Sequence, residues 1–145
     1  MLMSMSKKIY ITKIKKLPGT NYAEVYKKAF GLYQEIKRKS KRRPYVRSKY
    51  FGKEKIFLER FWLHFHQKNW RDRARRVPYF ACAIDLIRYA NNQPESKEHP
   101  TDRSQILHRF TGICDDGSVF RVQIKEDKRN KQKWLMSVYP AEIRR

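Results

Sequence analysis

Residues 132–140, QKWLMSVYP, decide how the last third of the chain is read. From Lys133 onward, Trp134, Met136 and Val138 fall on one side, and Lys133, Leu135, Ser137 and Tyr139 on the other. This is the two-residue period of a β-strand. Working backward, VFRVQIKE (119–126) repeats the pattern, with Phe120, Val122 and Ile124 set against Arg121, Gln123 and Lys125. ILHRFTGIC (106–114) supplies a third strand. Asp116-Gly117 marks a hairpin between the first two strands, and DKRNKQ joins the second to the third. Connections this short predict an antiparallel β-meander of three or four strands.

Upstream, the period lengthens to that of a helix. Asn21 and Glu24 have capping-box spacing. Tyr22, Val25, Tyr26, Ala29, Phe30, Tyr33 and Ile36 then form one apolar stripe, so a helix is expected over 22–36. KIYITKIKKL (8–17) reads as a short strand before the Pro18-Gly19 turn. Further helices are expected over 53–69, over the arginine-rich 70–77 and over 78–90, where Pro78 suits a first turn. Residues 91–104, with two prolines and no periodicity, read as a loop. The fold class is therefore α+β, with N-terminal helices followed by the antiparallel sheet. Residues 1–50 read as a basic strand–helix element and 51–145 as helices plus sheet, packed as one compact unit.

Charge is the dominant feature of the composition. Thirty-five Lys and Arg against 14 Asp and Glu give a net charge of +21 over 145 residues. A polyanion is the natural partner for such an excess, nucleic acid first and an anionic membrane surface second. Residues 1–50 hold fifteen cations against two acids, densest in KRKSKRRPYVRSK (37–49). Lys37, Arg38, Lys39, Lys41, Arg42, Arg43 and Arg47 are candidates for phosphate contact there, with Tyr45 and Tyr50 placed to stack on bases. Arg71, Arg75 and Arg76 in WRDRARR form a second cationic group. No run of eighteen apolar residues exists, so no membrane span is expected. MLMSMSKKIYITK lacks the apolar core of a secretory signal. Cys82 and Cys114 lack Cys-x-x-Cys spacing, which predicts free thiols and a cytoplasmic location.

The polar side of the predicted sheet collects Arg121, Gln123, Lys125, Lys133, Ser137 and Tyr139, with no acid among them. The strand before it enters in one of two registers. A two-residue loop at Asp116-Gly117 puts His108 on that face. A three-residue loop with Gly117 as a bulge puts Arg109 and Thr111 there and turns His108 inward. Such a face suits metal-independent RNA cleavage by 2′-hydroxyl attack. That reaction needs a base, a donor for the leaving oxygen and cations around the developing charge. His108 or His66 can act as base or acid, since imidazole titrates near neutral pH. Arg109, Arg121, Lys125 and Lys133 can hold the phosphate, and Ser137 and Tyr139 can supply hydrogen bonds.

With its helices ahead of a C-terminal sheet and the ending LMSVYP, the chain resembles the barnase–EndoU–colicin–RelE-like superfamily of small metal-independent ribonucleases and toxins over roughly residues 55–140. That resemblance implies site residues at Ser137 and Tyr139 on the last strand, at Arg121 and Lys125 on the strand before it, and at a helical histidine, His64 or His66. The basic N-terminal third lies outside the resemblance and reads as an added RNA- or ribosome-binding element; an acidic inhibitor protein is a further possible partner.

Other chemistries lack their residues. His64 and His66 are two apart on a helix and do not converge on one metal. There is no glycine-rich phosphate loop, no Gly-x-Ser-x-Gly elbow and no close carboxylate cluster, so neither a cofactor nor a metal is expected. Two readings remain. One is a toxin- or mobile-element-type endoribonuclease. The other is a non-catalytic RNA- or DNA-binding protein that uses the basic third and the sheet face as a docking platform.

Overall fold

Helix α1 (Tyr22–Lys39) begins where the capping pattern places it. The Asn21 side chain accepts the Glu24 backbone N–H at 3.0 Å, and the Glu24 carboxylate accepts the Thr20 N–H at 3.1 Å. The first bond satisfies a donor that the first helical turn leaves free, and the second ties the residue before the cap to the helix. Val25, Ala29, Tyr33 and Ile36 carry its buried stripe. The computed structural model describes residues 9–141, so the reading of residues 1–8, including the secretory question and the strand start at Lys8, falls outside it.

The expected sheet requires correction. It has seven strands and is mixed, not a three- or four-stranded antiparallel meander following the helices. Its strands are β1 (Ile9–Ile11), β2 (Tyr45–Ser48), β3 (Glu54–Phe57), β4 (Glu95–His99), β5 (Asp102–Ile113), β6 (Val119–Asp127) and β7 (Lys133–Ala141). The order is β1-β5-β6-β7-β3-β2, with β4 also pairing with β5. β5, β6 and β7 run antiparallel in sequence, but β1 joins β5 in parallel and β3 joins β7 in parallel. β2, β3 and β4 thus come from segments read as basic tail, helix and loop, while β1 lies in the segment read as a short strand.

The region read as one helix over 53–69 splits for a local reason. Gly52 and Lys53 both have positive φ, which closes a tight turn between β2 and β3. Ile56 is then fully buried between β2 and β7, and the chain turns helical only after Leu58. Helix α2 (Glu59–Gln67) follows, then α3 (Trp70–Arg76), a 3-10 turn at Val77–Tyr79 and α4 (Phe80–Tyr89). Helix α4 is buried from Phe80 to Ile87, its one carboxylate in that run, Asp85, accepting from Tyr10 OH at 2.9 Å and Lys13 N–H at 3.1 Å. The core cluster joins it to Phe110, Phe120, Val122, Ile124, Leu135 and Val138 on one face of the sheet and to α1 and α2 beyond.

Two strand details position everything on the opposite face. Cys114 and Ser118 close a three-residue loop, the Cys114 N–H donating to Ser118 O at 2.8 Å, with Gly117 at φ 87°. This is the second of the two registers: Gly112 pairs with Phe120, so Arg109 and Thr111 join the polar face and His108 turns inward. The second detail is a bulge. Gln123 pairs with Ser137 but Ile124 pairs with Leu135, leaving Met136 as an extra residue in β7. The alternation of β7 reverses there. Trp134, not Lys133, shares the polar face with Ser137 and Tyr139, while Lys133 and Leu135 point into the core.

Gly112 is a packing requirement. A Cβ there would lie 2.5 Å from Phe120 Cζ and 3.1 Å from Leu86 Cδ1, and Phe120 is fully buried. Gly112→Ala is therefore expected to lower the free energy of unfolding by about 3 kcal/mol, at the upper end of overpacking costs, as measured by urea denaturation.

Candidate nucleic-acid interface

Helix α2 leaves β3 and continues along β7, in the same direction as that strand. Phe61, Trp62 and Phe65 face the core. Arg60, His64 and Lys68 fall at i, i+4 and i+8, on the side left free. Eight helical residues rise about 12 Å, which keeps this stripe beside β7 from Trp134 to Tyr139. The Arg60 guanidinium lies 3.9 Å from the Trp134 ring centroid. His64 and Lys68 border an open groove of about 450 Å³ together with Arg76, Gln123, Met136, Ser137 and Tyr139. The groove floor is the polar face of β6 and β7, and no carboxylate lines it.

Several side chains in and beside the groove are held by specific contacts. Ser137 Oγ donates to Gln123 Oε1 at 3.1 Å across the two strands. The Arg76 guanidinium stacks 5.4 Å from the Tyr139 ring centroid while its Nε donates to Asp72 at 3.2 Å. Asp72 also accepts from Arg75 at 2.8 Å, and that hydrogen bond, followed by the one from Arg76, holds its carboxyl below the usual carboxylate range. Arg109 donates to Glu95 at 2.6 Å, and this bond, with Tyr139 adding to it, keeps the guanidinium firmly protonated. Arg121 lies between Thr111 and Tyr139 in the strand register, and its buried Nε has no hydrogen-bond partner. A buried donor without an acceptor is costly unless a ligand or water supplies one. His64 is exposed and makes no hydrogen bond or ion pair with the described residues.

Of the residues expected from sequence, Ser137, Tyr139 and Arg76 line the groove, with His64 as the helical histidine, and the register sets Arg109 next to Gln123 and Arg121 next to Tyr139 on the same sheet face. Lys125 lies one strand step below Gln123, toward Arg60. Its ammonium pKa is lowered, first by burial and then by the Arg60 charge.

Three expected residues are elsewhere. His66 sits on the opposite side of α2, its Nε2 2.8 Å from Tyr26 OH, among Tyr26, Phe30 and Trp62. His108 is buried on the core face, 2.7 Å from Ser96 Oγ and 2.7 Å from Glu126. Lys133, turned inward by the bulge, is buried and ion-paired with Glu54, so it is not available to phosphate.

The basic segment is dispersed. Lys37 and Arg38 border a second open depression with Phe30 and Tyr33, Lys39 pairs with Glu35, and Arg43 pairs with Glu59. Lys41, Arg42 and Arg47 are exposed, as are Arg71 and Arg75. The Tyr45 ring is covered by Lys55 and Arg47, at 4.7 and 5.5 Å, so it is not an open stacking surface.

Sequence reading missed two participants and one contact. Lys68 and Arg60 are visible only once the α2 stripe is aligned with β7. Gln123 was placed on the face, but its bond to Ser137 requires the register. Among the described residues, no group of three His, Cys, Asp or Glu side chains is placed to hold a metal ion, and no helix is long and apolar enough to cross a membrane. Comparison with known protein families, with curated proteins and with solved structures finds no match to this chain.

Proposed function

We propose that the chain is a metal-independent endoribonuclease that cleaves RNA by attack of the 2′-hydroxyl on the adjacent phosphate. The observation that carries this reading is the groove between α2 and β7. It sets the His64 imidazole, the Ser137 and Tyr139 hydroxyls and the Arg76 guanidinium around one space with no carboxylate in its lining, and the strand register puts Arg121 next to Tyr139 on the same face.

In this reading His64 removes the 2′-hydroxyl proton as general base. The O2′–P bond forms as the P–O5′ bond breaks, and the departing 5′ oxygen takes a proton from a donor in the groove, for which the Tyr139 hydroxyl and the Lys68 ammonium are candidates. Arg121, Arg76 and Arg109 face the charge that builds on the phosphorane oxygens, where fixed cations lower the barrier most. Ser137, which donates to Gln123 Oε1 in the free protein, turns its hydroxyl hydrogen from Gln123 to a non-bridging oxygen when the phosphate binds. The products are a 2′,3′-cyclic phosphate and a 5′-hydroxyl. The likeness of the last strand to barnase–EndoU–colicin–RelE-type nucleases supports the same assignment for Ser137 and Tyr139.

Incubating the full chain with end-labelled single-stranded RNA in EDTA tests the reaction. Expected are fragments bearing 2′,3′-cyclic phosphate. Intact RNA across several sequences would overturn the enzymatic reading and favour RNA or DNA docking without cleavage, for which the unneutralised cations Arg47, Lys55, Arg60 and Lys125 also speak.

A further inference from the structure

One row of the sheet continues the polar face beyond the groove. Lys125 pairs with Trp134, Trp134 with Phe57 and Phe57 with Tyr45, a line across β6, β7, β3 and β2. Four adjacent strands place its ends about 14 Å apart. Each aromatic in the line carries a cation. Arg60 lies over Trp134 at 3.9 Å, Arg43 over Phe57 at 4.0 Å, and Lys55 and Arg47 over Tyr45 at 4.7 and 5.5 Å.

Arg43 is neutralised by Glu59, but Lys125, Arg60, Lys55 and Arg47 have no salt bridge among the described residues. The aromatic faces are therefore occupied by side-chain cations, and the rings act as pedestals that fix where those charges stand. Two further facts fit an anion as the partner of this line. Burial first, and then the nearby Arg60 charge, pulls the Lys125 pKa down, although Asp102 and Asp127 act on Lys125 in the opposite direction. The Trp134 indole is only 5% exposed, and its N–H has no acceptor.

We propose that this line is a phosphate track, which receives the backbone of single-stranded RNA as it leaves the groove and crosses β7, β3 and β2. The assignment rests on the nuclease reading for the direction of entry, and it names the substrate as a single strand several nucleotides long. The line starts one strand step, about 7 Å, from the Gln123–Ser137 row. It offers one file of cations bounded by α2, which matches one backbone. In-line attack by a 2′-hydroxyl also requires a nucleotide free to leave A-form geometry, which a duplex opposes.

The test uses the full chain and an Arg47→Gln/Lys55→Gln variant, both positions being exposed and outside the core. Lys27→Gln/Arg88→Gln removes the same charge from exposed sites elsewhere. Two quantities are read: the affinity for a non-cleavable 2′-deoxy ten-mer as a function of salt, and the ratio of kcat/KM on a ten-nucleotide RNA to that on a dinucleotide. The track variant is expected to bind the ten-mer about tenfold more weakly and to flatten the log–log salt slope by about 0.7 for each phosphate released. Its kcat/KM ratio should fall about tenfold, while the control variant keeps both values.

An unchanged slope, or an equal loss in the control, overturns the track. Equal binding of duplex and single strand, with equal loss in the variant, overturns the single-strand assignment. Should the wild-type chain bind and respond in this way yet leave RNA intact, the nuclease reading fails and the track stands as a binding surface.

Discussion

The His64→Ala protein is expected to cleave RNA about 10²–10⁴-fold more slowly than the wild type, the usual contribution of a positioned general base. The prediction rests on where α2 puts this ring. His64 is exposed, borders the groove beside Ser137 and Gln123, and has no hydrogen-bond partner among the described residues. Removing it leaves nothing unpaired, so thermal stability should stay within about 0.5 kcal/mol of wild type, as for other exposed substitutions. His66 provides the contrast. It bonds Tyr26 and packs among α1 aromatics. His66→Ala should cost about 1 kcal/mol of stability, in the range for one lost hydrogen bond, while keeping cleavage near the wild-type rate. Single-turnover cleavage and thermal melts on both variants read the difference. Equal cleavage by the His64→Ala and wild-type proteins would remove the proposed base.

The Lys133→Met protein is expected to lose about 3 kcal/mol of unfolding free energy, in the range for breaking a buried ion pair from one side. The Lys133 side chain is 3% exposed. It pairs with Glu54, lies 3.8 Å from Glu126, donates to Lys131 O at 3.1 Å and sits 4.9 Å from the Phe51 ring centroid. Glu126 in turn holds His108, which reaches Ser96 on β4. Removing the cation leaves Glu126, in a largely dry site between the sheet and the β2–β3 turn, with His108 as its partner and no lysine charge beside it. Adding Glu126→Gln should recover part of the loss by removing that carboxylate charge. Urea denaturation measures both. The salt dependence of RNA binding by Lys133→Met should match that of the wild type. A slope flatter by about 0.7 would instead give Lys133 a phosphate contact.

What the sequence disclosed depended on how local the governing interaction was. Helix α1 was readable because its cap and its apolar stripe lie within eighteen residues of one another. The outward file Arg121, Gln123, Lys125 was readable because β6 keeps an unbroken alternation. The β5–β6 register was narrowed to two choices, since Gly117 permits either loop, and the backbone settles on the three-residue form. The two parallel pairings, β1 with β5 and β3 with β7, were invisible because they join segments about a hundred and about eighty residues apart with no local signature. Residues 54–57 read as the start of a helix because Ile56, Phe57 and Leu58 blend into the apolar spacing of α2. Burial of Ile56 between two strands overrides that propensity.

The candidate site was legible in the same measure. Ser137, Tyr139 and Arg121 followed from alternation, and Arg109 stayed one of two alternatives with His108 until the register chose it. Lys133 did not, because the extra residue at Met136 reverses the phase of β7. A bulge of that kind leaves no mark in the sequence pattern, which runs through it undisturbed. The choice between His64 and His66 turned on which side of α2 meets α1, and only packing decides that. Tyr45, expected as a stacking surface, became a support for Lys55 and Arg47 once β2 and β3 paired.

The most direct measurement follows an oligonucleotide that is 2′-deoxy at every position but one, incubated in EDTA with wild-type and His64→Ala protein. Cleavage confined to the 3′ side of the single ribonucleotide, leaving a 2′,3′-cyclic phosphate and nearly lost in the variant, is the predicted result. Cutting at deoxynucleotides, or cutting at the ribonucleotide that is indifferent to His64, would contradict an imidazole-driven attack by the 2′-hydroxyl in this groove.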